Sequence, residues 1–574
     1  MSDPLATLNA LLEPVFAELA GGAPADPTVR PSDRADAQIN GALPLAKRVG
    51  ANPRELADRI IASGVLDEVA AGAEVAGPGF INVTFSPDFL STQLDVARRD
   101  DGLGLAAAEP AKTVVVDYSA PNVAKEMHVG HLRTTVIGDA LVRILEAVGH
   151  EVIRENHIGD WGTPFGMLIE HLRDIDEDGT ATDVGDLDEF YKQARVAFDA
   201  SEEFQERSRQ RVVKLQAHEA ETLERWQELV DISTRHFNRV YDRLGVLLTD
   251  ADLMGESRYQ PLMPDVIERL DEVGLLEQSD GADVVFPPGF ENRDGDPLPL
   301  IVQKGTGGFN YATSDLACII DRTERLGADL LLYVVDAGQA QHFQMVYAVA
   351  ELAGWLAPPT EAVHVQFGVV LGEDRRRLRS RSGEPVKFID LLDEAVERAA
   401  AAIAERNPDL DDEARSKVAN AVGIGAVKYA ELSTDRVKDY VFDWDRLLAF
   451  DGNTAPYLQY AHARICSLFR RAEVERADAS AWPITLVEDA ERDLALQILA
   501  FPTAVESVLE SYSPHKLCNY AYDLATAFTS FYEKCPILRS EEDVKRSRLA
   551  LADLTARVLA TALDLLGIEA PERM

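Results

Sequence analysis

Leu8, Leu11, Leu12, Val15 and Phe16 recur at the three-and-four spacing of a helix, and Gly79-Phe-Ile-Asn-Val-Thr-Phe85 alternates with the period of a strand. These patterns predict a compact N-terminal α+β domain over residues 1–110, closed by the small-residue linker Gly102-Leu-Gly-Leu-Ala-Ala-Ala-Glu-Pro110. Thr113-Val-Val-Val-Asp117 is then a short apolar run of the buried-strand type. A proline-bearing turn, a helix over 129–148 ending near Gly149 and a second strand at Glu151–Asn156 follow it. Strand, helix and strand in that order make a β-α-β unit with parallel strands. From about 175 to 300 the chain is polar and helix-periodic, most strongly from Glu202 to Leu244, and this stretch reads as an insertion. A second α/β half comes next, with a helix opening at Tyr311 and strands at Leu330–Asp336 and Val363–Val370. From about 395 onward nearly everything is helix-periodic. The whole pattern predicts a multidomain α/β chain.

Composition narrows the class. The chain has 574 residues, 46% of them apolar, enough for about three or four domains. No uncharged apolar run of about 18 residues appears, and Met1-Ser-Asp-Pro-Leu5 carries neither a basic nor an apolar leader. A soluble, cytoplasmic protein without a membrane partner is expected. Cys318, Cys466, Cys518 and Cys535 include no Cys-x-x-Cys pair, so neither a disulfide framework nor a protein-bound zinc is expected.

The formal charge of −41 argues at first against a polyanionic partner. The acids are dispersed rather than gathered in a tail, as in Asp390-Leu-Leu-Asp393-Glu394 and the segment from Asp174 to Glu189, and the 57 basic residues comprise 13 Lys and 44 Arg. Such a surface fits a halophilic source, where salt screens charge within about 3 Å at 1 M. Binding to nucleic acid then leans on stacking, hydrogen bonds and a few local arginines.

The candidate chemistry begins at His128-Val-Gly-His131, in the first turn of the helix that follows the strand. Unpaired N–H groups and the positive end of the helix dipole favour phosphate there, and a glycine lets a ligand approach the backbone. Histidines three apart present their rings on one face. A string this short also arises in plain packing, so its neighbours decide its meaning.

The reach from Asp117 through His131 to Gly159-Asp-Trp-Gly162, and on to Arg377-Leu-Arg-Ser-Arg-Ser-Gly383, resembles the class I aminoacyl-tRNA synthetases. More narrowly, Ser119-Ala-Pro-Asn-Val-Ala-Lys-Glu-Met-His-Val-Gly-His131 and its continuation to Asp139 are similar, almost residue for residue, to the arginyl-tRNA synthetases. The resemblance implies a Rossmann-type catalytic domain over 111–395 with its insertion at about 175–300, a helical connector over 396–450 and an α-helical anticodon-binding bundle over 451–574. It also implies ATP accompanied by Mg2+, L-arginine and tRNA(Arg) as partners, with a monomer expected.

In that family His128 and His131 would stabilise charge developing on the α-phosphate, and Gly130 would make room for adenosine. Arg377, Arg379 and Arg381 stand where the superfamily carries a lysine-rich phosphate loop. Ser380 replaces its second lysine, and Lys125 matches the lysine thought to supply the missing charge. A guanidinium substrate calls for carboxylates and planar acceptors. Glu256, Tyr311, Asp315 and Gln339 match positions that bind arginine, and Ser119 and Asn122 match those at the amino-acid head. For RNA, Phe80 and Asn82 match a D-loop contact, and Tyr457, Tyr460 and Met574 match anticodon contacts, since aromatic and thioether faces stack on splayed bases. Two other readings stay open at this point: a different class I ligase, or a paralogue that keeps the fold and binds RNA without catalysis.

Overall fold

The computed structural model describes residues 3–32, 34–177, 186–379, 386–408 and 410–574. They gather into two compact units, one of residues up to 107 with 403–422 and 448–574, the other of 108–402 with 423–447.

The second unit is built on four parallel strands: β1 (Thr113–Asp117), β2 (Glu151–Glu155), β3 (Leu330–Tyr333) and β4 (Glu361–His364), in the spatial order β4-β3-β1-β2. Val114, Val115 and Val116 are fully buried, as expected of a parallel strand covered on both faces, which explains its unbroken apolar run. The β1–β2 crossover is helix α1 (Leu132–Ala147), preceded by a single 3-10 turn at Val129–His131. Sequence order reverses between β1 and β3, so the loops leaving their carboxyl ends diverge and open a crevice where ligands bind in such sheets.

The insertion contributes α2 (Leu187–Ala200), a helix at Glu202–Gln216 and α3 (Ala220–Leu244), which stops at Gly245 in the left-handed region. It is not purely helical before 300. Glu277–Ser279, Ala282–Val285 and Leu300–Gln303 form an antiparallel sheet, whose first hairpin turns through Asp280 and Gly281, both at positive φ. That Asp-Gly pair is a hairpin signal, but its strands are too short to show a period. The strand expected at Val363–Val370 is also divided. β4 ends at His364, and Val370–Leu371 pairs instead with Tyr440–Val441. Gly368 marks the departure, because a Cβ there would lie 2.6 Å from Asp439 Oδ1 and 2.7 Å from the Lys438 carbonyl carbon.

α4 (Tyr311–Ile320) runs into a π-turn at Asp321–Arg325 that delivers Arg322 beneath the crevice. Tyr333, Asp117 and Glu155 are register partners across β3, β1 and β2. Arg322 Nη2 lies 2.7 Å from both carboxylates, and its guanidinium is 4.8 Å from the Tyr333 ring centre.

In the first unit, Val29–Arg30, Ala37–Ile39, Phe80–Phe85 and Ala70–Ala76 are neighbours in that order in an antiparallel sheet. Long helices at Ala455–Ala472, His515–Lys534 and Glu542–Leu565 dominate the remainder. The Asp36–Arg492 ion pair and the Thr503 hydroxyl donating to Asp3 Oδ2 at 2.9 Å join the two parts of this unit. Asp489–Ser511 has the length and composition of a membrane span. It is nevertheless two helices meeting at Ala500, with Leu494, Ile498, Phe501 and Val505 in the core. All four cysteines are buried thiols outside any disulfide.

Arg322→Ala strands two buried carboxylates, and breaking such a group typically costs about 3–5 kcal/mol. Thermal unfolding should show a clear fall in Tm for this variant, whereas truncating the exposed Arg195–Asp199 pair should leave it within about 1 kcal/mol of the parent.

Candidate active site

At the carboxyl ends of β1 and β3 lies a cavity of about 550 Å3, lined by Ser119, Asn122, His128, Gly130, His131, Gln339, Arg377 and Arg379 among others. His128 caps the 3-10 turn. Its Nδ1 accepts from the Gly130 N–H at 3.0 Å, while the His128 N–H donates to His131 Nδ1 at 3.2 Å. Each imidazole therefore has its Nδ1 occupied as an acceptor, so a neutral ring carries its proton on Nε2. Burial lowers the proton affinity of both, that of His131 to a pKa of about 3, with His128 adding to the effect. The rings stand 4.2 Å apart, as two neutral Nε2–H donors. Gly130 is required by the motif itself, since a Cβ there would lie 2.5 Å from His128 Cε1.

The preceding loop is strained in the manner common at binding sites: Ser119, Ala120 and Ala124 have φ of 75°, 47° and 60°. Ser119 is held from every side. Its N–H donates to Thr134 Oγ1 at 3.0 Å, and its hydroxyl meets Tyr241 Oη at 2.7 Å and Thr135 Oγ1 at 2.9 Å. Tyr241, on α3, also accepts from Asn156 Nδ2 at 3.0 Å. Asn122 bridges Gly159, where a Cβ would come within 2.4 Å of Asn122 Oδ1.

The arginine loop is pinned at both ends. Its outgoing leg rests on Tyr440–Val441 and turns back where the Leu378 N–H donates to the Val370 carbonyl at 3.1 Å. Its returning leg docks on the histidine segment, with the Val129 N–H donating to Val386 O at 3.1 Å and the Phe388 N–H to Met127 O at 2.9 Å. Arg133, buried on α1, supports the outgoing leg: Nε lies 3.1 Å from Glu431 and Nη1 donates to Lys438 O at 2.9 Å. The Tyr440 hydroxyl donates to the same Glu431. Arg377 and Arg379 line the cavity, while Arg381 lies outside the described residues.

A cluster of carboxylates stands apart from the residues lining this cavity. Asp160, 3% exposed, accepts from the Ser257 N–H at 2.8 Å and its hydroxyl at 2.6 Å. Burial pushes Asp160 above the ordinary carboxylate range. Glu256, next to Ser257, is raised to about 7, first by burial and then by Asp160 and Asp315. Asp315 Oδ2 lies 2.5 Å from His342 Nε2. Tyr311, one helical turn ahead on α4, is 72% exposed. A compact cation with several donors would satisfy these acids together.

Residues 94–444 match the family of class I (R) tRNA synthetase catalytic domains, 458–574 the DALR anticodon binding domain, and 7–85 the arginyl tRNA synthetase N-terminal domain. The chain is 52% identical to the arginine–tRNA ligase of Thermobifida fusca over 96% of its own length and 95% of that protein's. It is 49% identical to that of Escherichia fergusonii, covering 97% and 98%. The chain belongs to the arginyl-tRNA synthetase family. Its fold is similar to the arginyl-tRNA synthetase of Plasmodium falciparum, with a TM-score of 0.85 at 28% identity over 99% of both chains. The enzyme of Thermus thermophilus gives 0.79 at 26%, covering 99% and 100%.

Of the positions matched to arginyl-tRNA synthetases by motif, the cavity thus gathers eight, whereas Lys125, Glu256, Tyr311 and Asp315 are not among its lining residues. Lys125 extends over the ring of Tyr191, 4.7 Å from its centre. In the other unit, Phe80 is partly buried, and Asn82, 5% exposed, accepts from Gln38 Nε2 at 2.8 Å. Tyr457 sits 5.6 Å from Tyr522, Tyr460 is 48% exposed, and the Met574 carbonyl accepts from Asn407 Nδ2 at 3.1 Å. Asp160 and His342 were not expected in the site. Asp160 lies inside Gly159-Asp-Trp-Gly162 and His342 three residues after Gln339, but only folding brings Asp160 beside Glu256 and His342 beside Asp315.

Glu256 is neutral below about pH 7 and charged above it, so a guanidinium should bind more tightly as pH rises through that value. KM for arginine should climb as pH falls from about 8 to 6, by at most about tenfold per unit for a single proton. Glu256→Gln should raise KM and flatten that limb, and an unchanged profile would remove Glu256 from the titration.

Proposed function

We propose that the chain, an arginine–tRNA ligase by family, activates L-arginine and charges tRNA(Arg) at this cavity. The observation that carries the reading is the convergence of the histidine pair, Gln339 and the arginine loop on one crevice at the switch point of a parallel sheet. A carboxylate oxygen of arginine attacks the α-phosphorus of ATP, the bond to pyrophosphate breaks, and arginyl-adenylate forms. The 2′-hydroxyl of the terminal adenosine then attacks the arginyl carbonyl, AMP leaves, and the hydroxyl proton passes to phosphate or water. In-line displacement needs positioning and electrostatics rather than a protein nucleophile.

His128 and His131 offer Nε2–H donors to the α-phosphate. Positive charge comes from Arg377, Arg379, Arg381 and Lys125, with Mg2+ arriving on the ATP phosphates. Ser119 and Asn122 hold the amino-acid head, and Gln339, Tyr311, Asp315 and Glu256 the guanidinium. We further infer that 1–110 contacts the tRNA elbow through Phe80 and Asn82, and that 451–574 reads the anticodon through Tyr457, Tyr460 and Met574. Residues 111–395 would carry catalysis and 396–450 would connect, in a cytoplasmic monomer.

Arginylation of tRNA transcripts tests the reading. His131→Ala should lower kcat by about 10²-fold or more, the scale for losing one oxyanion donor, and full activity in this variant would overturn the assignment. The acidic surface gives a separate outcome: arginylation should increase as KCl is raised, and a maximum at low salt would exclude a halophilic source.

A further inference from the structure

Lys125 poses a physical problem. A lysine that is to supply charge to a phosphate must be held in place without being neutralised, in a chain whose net charge is −41. Its ammonium is close enough to the histidine pair to add, after burial, to the lowering of both proton affinities. Three nearby acids have other partners. The Glu126 carboxylate meets His236 at 3.5 Å, Asp188 accepts from the Glu126 N–H at 3.1 Å, and Asp186 pairs with Lys387 at 2.8 Å. Among the described residues Lys125 has no ion-pair partner; its ammonium lies over Tyr191.

Tyr191 is on α2, whose first turn grips the segment carrying Lys125. Besides Asp188, the Leu187 backbone hydrogen-bonds the Glu126 carboxylate. Phe190, buried 5.1 Å from His171, sets the rotation of the helix. A carboxylate at position 191 would hold the ammonium and cancel its charge, whereas an aromatic face holds it by its quadrupole and leaves the charge in place.

We propose that Tyr191 is a positioning residue for the reaction: its ring holds the Lys125 ammonium beside the histidine pair, poised for the phosphates of ATP. This rests on the reading of Lys125 given above. Steady-state arginylation by Tyr191→Leu, Tyr191→Phe, Lys125→Met and the Tyr191→Leu/Lys125→Met double variant tests it, with ATP and arginine varied separately. Tyr191→Leu should lower kcat/KM for ATP about threefold to tenfold, the range open to a cation–π contact, and leave KM for arginine within about twofold. Tyr191→Phe, which keeps the ring, should match the parent. In the Lys125→Met background the Leu substitution should change nothing further. If Lys125→Met is impaired but Tyr191→Leu is not, the positioning role is overturned and the lysine assignment stands. If Lys125→Met is as active as the parent, the assignment falls and the proposal with it. A loss from Tyr191→Leu that persists undiminished without Lys125, or that raises KM for arginine as much as for ATP, would mean a structural role and also overturn the proposal.

Discussion

A single buried guanidinium sets the geometry on which the candidate site depends. Arg322 spans one register row across three strands, with carboxylates from β1 and β2 and a ring from β3. Each of these charges alone would be costly to bury, and together they are tolerable only in a narrow arrangement. The row is the last before the strands end, so the loops carrying Ser119 and Gln339 leave from fixed points. The π-turn that delivers Arg322 is itself an irregularity of the sort found near functional sites.

The electrostatics above that row follow a consistent logic. The histidines are neutral donors with a fixed tautomer, because burial disfavours their charged form and two backbone N–H groups occupy Nδ1. Formal positive charge is left to residues that cannot lose it, Arg377 and Arg379, and to a lysine over an aromatic ring. Acidic groups are gathered at Asp160, Glu256 and Asp315: burial raises the pKa of Asp160, burial with the two aspartates raises that of Glu256, and Asp315 pairs with His342. Cationic and acidic groups are thus carried by separate sets of residues, although the chain as a whole is strongly acidic.

Much of this was legible in the chain. The strand at 113–117 shows as an unbroken apolar run, and the helices behind His131 and at Tyr311 open within a few residues of where they are expected. The short antiparallel sheet before residue 304 and the break after His364 were not legible. Strands of three or four residues carry too little period to register, and the break depends on Gly368 passing close to Asp439, a neighbour 71 positions away in sequence. The same holds for Asp160, which looks like one motif residue among several until burial and Glu256 give it chemical meaning.

By itself the sequence determined what depends on local spacing: the element types, a histidine pair three residues apart around a required glycine, and an order of motifs specific enough to name a family. Tertiary structure alone decided the protonation states, the tautomers, the meeting of Asp160, Glu256 and Asp315, and the row held by Arg322. The reason is physical. Periodicity is a property of one element, whereas desolvation and Coulomb interaction depend on which distant residues enclose a group, and that is settled only when the chain has folded.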